Sequence, residues 1–176
     1  MIMRPGQQLL LPANPLFIWG SLFGAFGLNL LFNIALWGRA AWAPDLLALA
    51  LVFWGVHQPQ RIGIGAAFVF GLLMDVHQGS VLGQHALAYA VLNFLAIAIH
   101  RRLLWFTLAS QAVHVLPLLI AAHAVALAVR LMVGGNFPGF ALLLAPLIEA
   151  LLWPLASLLL LLPQRRAPDP DANRPL

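Results

Sequence analysis

The 176-residue chain has no cysteine. That removes disulfides, a thiolate nucleophile and cysteine metal sites, and leaves redox usage silent about compartment. Lysine is absent too, so all nine basic residues are arginines, set against five acids. Charged residues make up 8%, where soluble domains carry about 25%. No basic stripe interleaved with aromatics exists, so the high pI does not indicate nucleic acid. GxSxG, HExxH and a phosphate-binding glycine loop are likewise missing. Ser21, Ser80, Ser110 and Ser157 show no evident histidine–acid arrangement, and the loops are too short for a catalytic domain. The chain therefore reads as a non-enzymatic protein with no cofactor.

Hydrophobic residues fill the space, at 62% of the chain with a mean hydropathy of +0.93. A globule this small has too much surface for its volume to hide so much apolar area, so the natural solvent is lipid. The expected fold is all-α: a polytopic membrane bundle of about six transmembrane helices. The apolar runs predict spans at 16–37, 45–56, 62–74, 81–99, 103–129 and 140–162, within a transmembrane domain covering 1–163. The proline-rich, charged stretch 164–176 is expected to be a disordered cytoplasmic tail. The first run is longer than a signal peptide's apolar region, although Ala41-Trp42-Ala43 imitates a cleavage site. The second and third runs are short for a full crossing; tilt, extension into the interface and a re-entrant hairpin all remain open. Pro117 should tilt or kink the fifth, while Pro146 and Pro154 interrupt the sixth.

Charge bias sets the orientation. With six spans and a cytoplasmic N-terminus, the cytoplasmic segments hold Arg4, Arg61, Arg101, Arg102, Arg165, Arg166 and Arg174. The outer segments hold only Arg39 and Arg130, as the positive-inside rule requires. Trp19, Trp37, Trp42 and Trp105 fall near the predicted interfaces, where an aromatic belt belongs.

Polar and small residues inside spans need reasons, because lipid penalises unpaired polar groups. Gly20, Gly24 and Gly27 share one face of the first helix, with Asn29 and Asn33 roughly opposite. These are either two packing surfaces within the bundle or a contact for a partner's helix. In the next patterned stretch Gly71, Asp75, Gly79 and Gly83 recur every four residues. Gly79 should break the helix, and the following span should restart near Gly83. Asp75 is a candidate to cap that next helix, to pair with Arg39 or Arg130, or to contact something outside. The fourth helix carries a stripe of His85, Tyr89, Asn93 and His100 that should face the bundle. Scattered histidines do not make a metal site. Glu149, deep in the sixth span, must be neutral or paired, with His114, the Asn29/Asn33 face or another subunit as candidate partners. A coupled proton or substrate is the functional alternative to a structural hydrogen bond.

The run Phe70-Gly71-Leu72-Leu73-Met74-Asp75, followed by Gly79 and Leu82-Gly83, resembles an element of the MreD family of bacterial rod shape-determining proteins. Length, short loops and the character of the six spans extend the likeness over about residues 10–163. The resemblance implies a non-catalytic scaffold in the bacterial inner membrane, part of the elongation machinery for lateral peptidoglycan synthesis. MreC would be the direct partner, with MreB, RodA and a penicillin-binding transpeptidase in the same complex. It also implies a fold similar to the substrate-binding subunits of energy-coupling-factor transporters. Phe70, Gly71, Asp75, Gly79 and Gly83 carry over as residues of the family element; they either contact MreC or hold the third and fourth helices together. Glu149 matches no family position. The alternative is a subunit binding a small molecule or lipid, in a polar interior near His85, Tyr89, Asn93 and Glu149 closed by the Asp75 loop.

Overall fold

The computed structural model describes residues 13–37 and 40–164. Arg39, and all but the first residue of the expected tail, lie outside them. Six α-helices make up the fold, with no strand among the described residues: α1 (Pro15–Phe32), α2 (Leu46–His57), α3 (Ile64–Gln78), α4 (Gln84–Leu103), α5 (Leu108–Met132) and α6 (Leu144–Leu161). Four of the six helical stretches are long and apolar enough to cross a bilayer; α2 and α3 are shorter.

Local chemistry sets the helix ends. Asn14 accepts the Leu16 N–H at 3.0 Å, with Pro15 at the first helical position, so α1 begins there. A π-turn over Asn33–Trp37 extends α1. The Asp45 carboxylate accepts both the Leu47 and Ala48 N–H groups and starts α2. Gly79, at φ 60°, ends α3 in the left-handed conformation that glycine adopts without steric cost.

Three boundaries differ from the expected spans. α3 runs past Asp75 to Gln78, because Gly79 and not the carboxylate is its stop signal. The fourth and fifth spans are separated at Leu104–Thr107, so α4 is longer at its C-terminus and α5 starts later than the apolar run suggests. Pro146 does not interrupt the sixth helix: it falls in the first turn of α6, where backbone N–H groups need no partner within the helix. Pro154 alone sits in the interior of α6.

The short helix α2 is the core of the molecule. Its twelve residues span only about 18 Å at 1.5 Å per residue, and Leu47 through Val56 are all buried. A helix apolar on every side has no water-facing face and is stable only when surrounded. α2 packs on α4 and α1 and also meets α6. Phe53 and Trp54 meet edge-on at 4.9 Å between centroids, and Trp54 Nε1 donates to Ser21 Oγ of α1 at 2.8 Å. Beyond the other end of α2, Asn93 Nδ2 donates to the Ile62 carbonyl and Arg61 Nη1 to the Ala13 carbonyl, both at 3.1 Å.

α1 is held differently. Only Ile18, Leu22 and Asn29 of it are buried, while Leu16, Phe23 and Leu31 stand exposed. Its aromatic residues grip α3: Trp19 stacks on Phe70, and Phe23 and Phe26 close around the same ring, at centroid distances of 5.2–6.5 Å. Exposed leucine and phenylalanine over the outer faces of α1, α5 and α6 give an apolar exterior that lipid, and not water, solvates.

Candidate functional site

Two carboxylates organise the polar interior. The first is Asp45, at the start of α2. Its Oδ1 accepts from Asn29 Nδ2 at 2.6 Å as well as from its own helix N-terminus, and Oδ2 accepts from the Tyr89 hydroxyl of α4. Asn29 uses its other arm too, accepting the Leu46 N–H at 3.0 Å. The Asp45 backbone N–H in turn donates to Glu149 Oε1 at 2.8 Å. Glu149 is fully buried, and His123 Nε2 of α5 lies 3.0 and 3.2 Å from its two oxygens. One network thus joins α1, α2, α4, α5 and α6. Each buried carboxylate is satisfied by donors, which is the condition for tolerating charge at such depth.

The second is Asp75, fully buried at the end of α3. Oδ1 accepts from Ser80 Oγ at 2.9 Å and from the His85 N–H at 2.8 Å, and His85 Nδ1 also lies 2.8 Å from it. Oδ2 accepts the Gly83 N–H at 2.8 Å. Asp75 therefore caps α4 from outside that helix, replacing the side-chain cap that Gly83 cannot provide. Gly83 itself has φ 102°, so the turn aims its N–H at the carboxylate in a conformation costly to other residues. One turn back, Gly71 lies against α4: a Cβ there would stand 2.6 Å from the Ala86 nitrogen and the His85 carbonyl oxygen. Phe70, Gly71, Asp75, Gly79 and Gly83 thus form one joint, clamping α3 to α4 and holding α1 through the Phe70 ring.

Several expected pairings resolve otherwise. Asp75 pairs with His85 and not Arg130. The partner of Glu149 is His123; His114 instead contacts the Ser110 carbonyl of its own helix at 2.8 Å and stacks on Phe106. Within the α4 stripe, His85, Tyr89 and Asn93 point inward to three different partners, while His100 stays on its own helix at the Ile97 carbonyl. Asn29 is stitched into the Asp45 network, whereas Asn33 begins the π-turn and lines a cavity. Around Gly20, Gly24 and Gly27 a Cβ would meet nothing within 4 Å, so that stripe faces away from the bundle.

Neither Asp45, which opens the expected 45–56 span, nor His123 stood among the candidate site residues. A signal for the second was present. His123 and Glu149 are 26 residues apart and centred on Asn136 in the glycine turn between α5 and α6, which sets them at one depth in antiparallel helices.

The network forms the floor of a cavity of about 1040 Å³. Its walls come from the C-terminal ends of α1, α3 and α5 and the N-terminal ends of α2, α4 and α6, so successive helices alternate in direction and the cavity opens at one end of the bundle. Among the described residues, no three His, Asp or Glu side chains converge as metal ligands.

Fold and site together define a helical membrane protein with a carboxylate network at one end of an apolar bundle. The family described as rod shape-determining protein MreD matches residues 13–162. The chain belongs to that family. Rod shape-determining protein MreD of Haemophilus influenzae is 26% identical over 148 residues, which cover 81% of this chain and 89% of the relative. No solved structure matches the chain. The family and the relative's name support a role in rod shape determination, in a family not known for catalysis.

Proposed function

We propose that this protein is a non-catalytic scaffold of the cell-elongation complex in the bacterial inner membrane. It crosses the membrane six times with both termini in the cytoplasm. MreC is its direct partner, and MreB, RodA and a penicillin-binding transpeptidase belong to the same assembly, which supports lateral peptidoglycan synthesis. Family membership supports the role, and the distribution of arginines supports the orientation.

The observation that carries the proposal is the state of α1. Its asparagine and aromatic residues bind it to the bundle, yet Gly20, Gly24 and Gly27 leave open space along the far side. In lipid, helix association relies on close packing at small residues, since apolar burial alone gives little preference there. That stripe is the docking face for the transmembrane helix of MreC. The joint at Phe70, Gly71, Asp75, Gly79 and Gly83 positions α1 for this contact without taking part in it.

The absence of native cysteine makes the test direct. Single cysteines at Gly20→Cys and Gly24→Cys should cross-link to cysteines in the MreC membrane helix, and Gly24→Leu should reduce co-purification of MreC. Unchanged co-purification with a folded Gly24→Leu protein would remove this face as the contact.

The cavity favours a second reading, a membrane subunit that binds a small solute or a lipid. Its volume and position at one open end of the bundle fit a bound ligand better than a packing defect.

A further inference from the structure

The cavity's floor and walls differ in what they have left to offer. On the floor, Asp45 already accepts four hydrogen bonds, and Glu149 is occupied by His123 and the Asp45 N–H. These acceptors are spent on the fold. The walls carry uncommitted polar groups instead. Arg130, His77, Gln78 and Gln84 line the cavity, and none of their side chains has a hydrogen bond or ion pair among the described residues. Among the described residues no carboxylate forms an ion pair with Arg130: Asp75 and Glu149 pair with histidines, and Asp45 is held by neutral donors. Arg130 is half-buried at the end of α5, ahead of the Gly134-Gly135 turn whose Gly135 N–H donates to the Arg130 carbonyl at 2.9 Å. The wall also holds apolar side chains, Leu127 and Leu142 among them, with Asn33 and Ser80 as further polar residues.

A cation with no ion-pair partner, beside amide and imidazole groups free to donate, suits a ligand that carries acceptor oxygens. We infer that the cavity binds an anionic, oxygen-rich head group, a phosphate or phosphate ester, with the Arg130 guanidinium as its main contact and Gln84 and His77 as further donors. Guanidinium suits this task because its planar set of N–H groups pairs two oxygens at once. The head group can belong to a free solute or to a lipid whose chain follows the apolar wall. This inference rests on the second reading above, and the scaffold role does not depend on it.

The test uses the full-length protein in nanodiscs of phosphatidylcholine. Its thermal midpoint is followed against inorganic phosphate, and again in discs doped with phosphatidylglycerol. A rise of roughly 2–4 °C is expected from one of the two probes. Phosphate raising it identifies a soluble anion, and phosphatidylglycerol alone raising it identifies a lipid head group. Arg130→Gln should weaken the effect about tenfold or more, as loss of a charge-assisted contact does, and Arg130→Lys should restore part of it. Arg101→Gln, at the far end of the bundle, should leave it intact. If Arg130→Gln does not fold, the paired His77→Ala and Gln84→Ala variant carries the same expectation. No shift with either probe, or a shift that survives Arg130→Gln or is lost equally in Arg101→Gln, overturns the inference. Stabilisation by choline in place of both probes overturns the anion assignment while leaving a ligand-binding subunit standing. MreC co-purification reads the scaffold role separately.

Discussion

Glu149 and His123 are the pair on which the polar interior turns. Glu149 is fully buried while His123 is partly exposed to the cavity, so removing the histidine is costly for the carboxylate. His123→Ala should destabilise the protein by about 3 kcal/mol, because it leaves the Glu149 carboxylate with the Asp45 N–H as its remaining donor. Glu149→Gln keeps an acceptor for that N–H and should cost less, about 1–2 kcal/mol. The double variant should be less destabilised than the sum of the two, which thermal unfolding in detergent can measure. Strict additivity would show that the pair is not coupled. The carboxylate's need of a partner was legible in the sequence, but the partner was not. The spacing about Asn136 gives the two residues a common depth, but which faces of α5 and α6 meet is set by packing that the apolar run around His123 does not encode.

Between neighbouring helices the decisive feature is the α3–α4 joint. Asp75 satisfies two backbone N–H groups at the start of α4 and also holds Ser80 and His85. Asp75→Ala orphans these donors and should cost roughly 3 kcal/mol, with faster proteolysis at the 79–83 turn as the readout. Gly71→Ala should be destabilising by about 1–3 kcal/mol, since its neighbour is helix backbone that cannot rotate aside. Gly20→Ala supplies the contrast, because open space surrounds it and a gain in helix propensity is the only expected effect on stability. A Gly20→Ala loss as large as that of Gly71→Ala would contradict the packing described here. The four-residue repeat of Gly71, Asp75, Gly79 and Gly83 announced this joint, since each residue type implies a specific backbone need. The burial of α2 was not announced. A twelve-residue apolar run is compatible with tilt, a hairpin or a core position, and only the surrounding helices decide among them.

Taken as one body, the molecule gathers the carboxylates of its described residues at one end and exposes apolar side chains around its flanks. This distribution suits a protein that works by contacts within the membrane: α1 offers a small-residue stripe to another helix, and the cavity offers donors to an anion. Composition alone made the membrane setting and the all-helical class legible, because neither a soluble core nor a sheet could accommodate these runs. The cavity was not foreseeable in size, since it depends on how six helix ends splay. The proposed function requires an even number of crossings, with both termini on the cytoplasmic side. Reporters fused to the two ends of the full-length chain test this most directly. Both should report the cytoplasm, with activity of a cytoplasmic fluorophore and silence of a periplasmic phosphatase at each end. Signals on opposite sides of the membrane would contradict it.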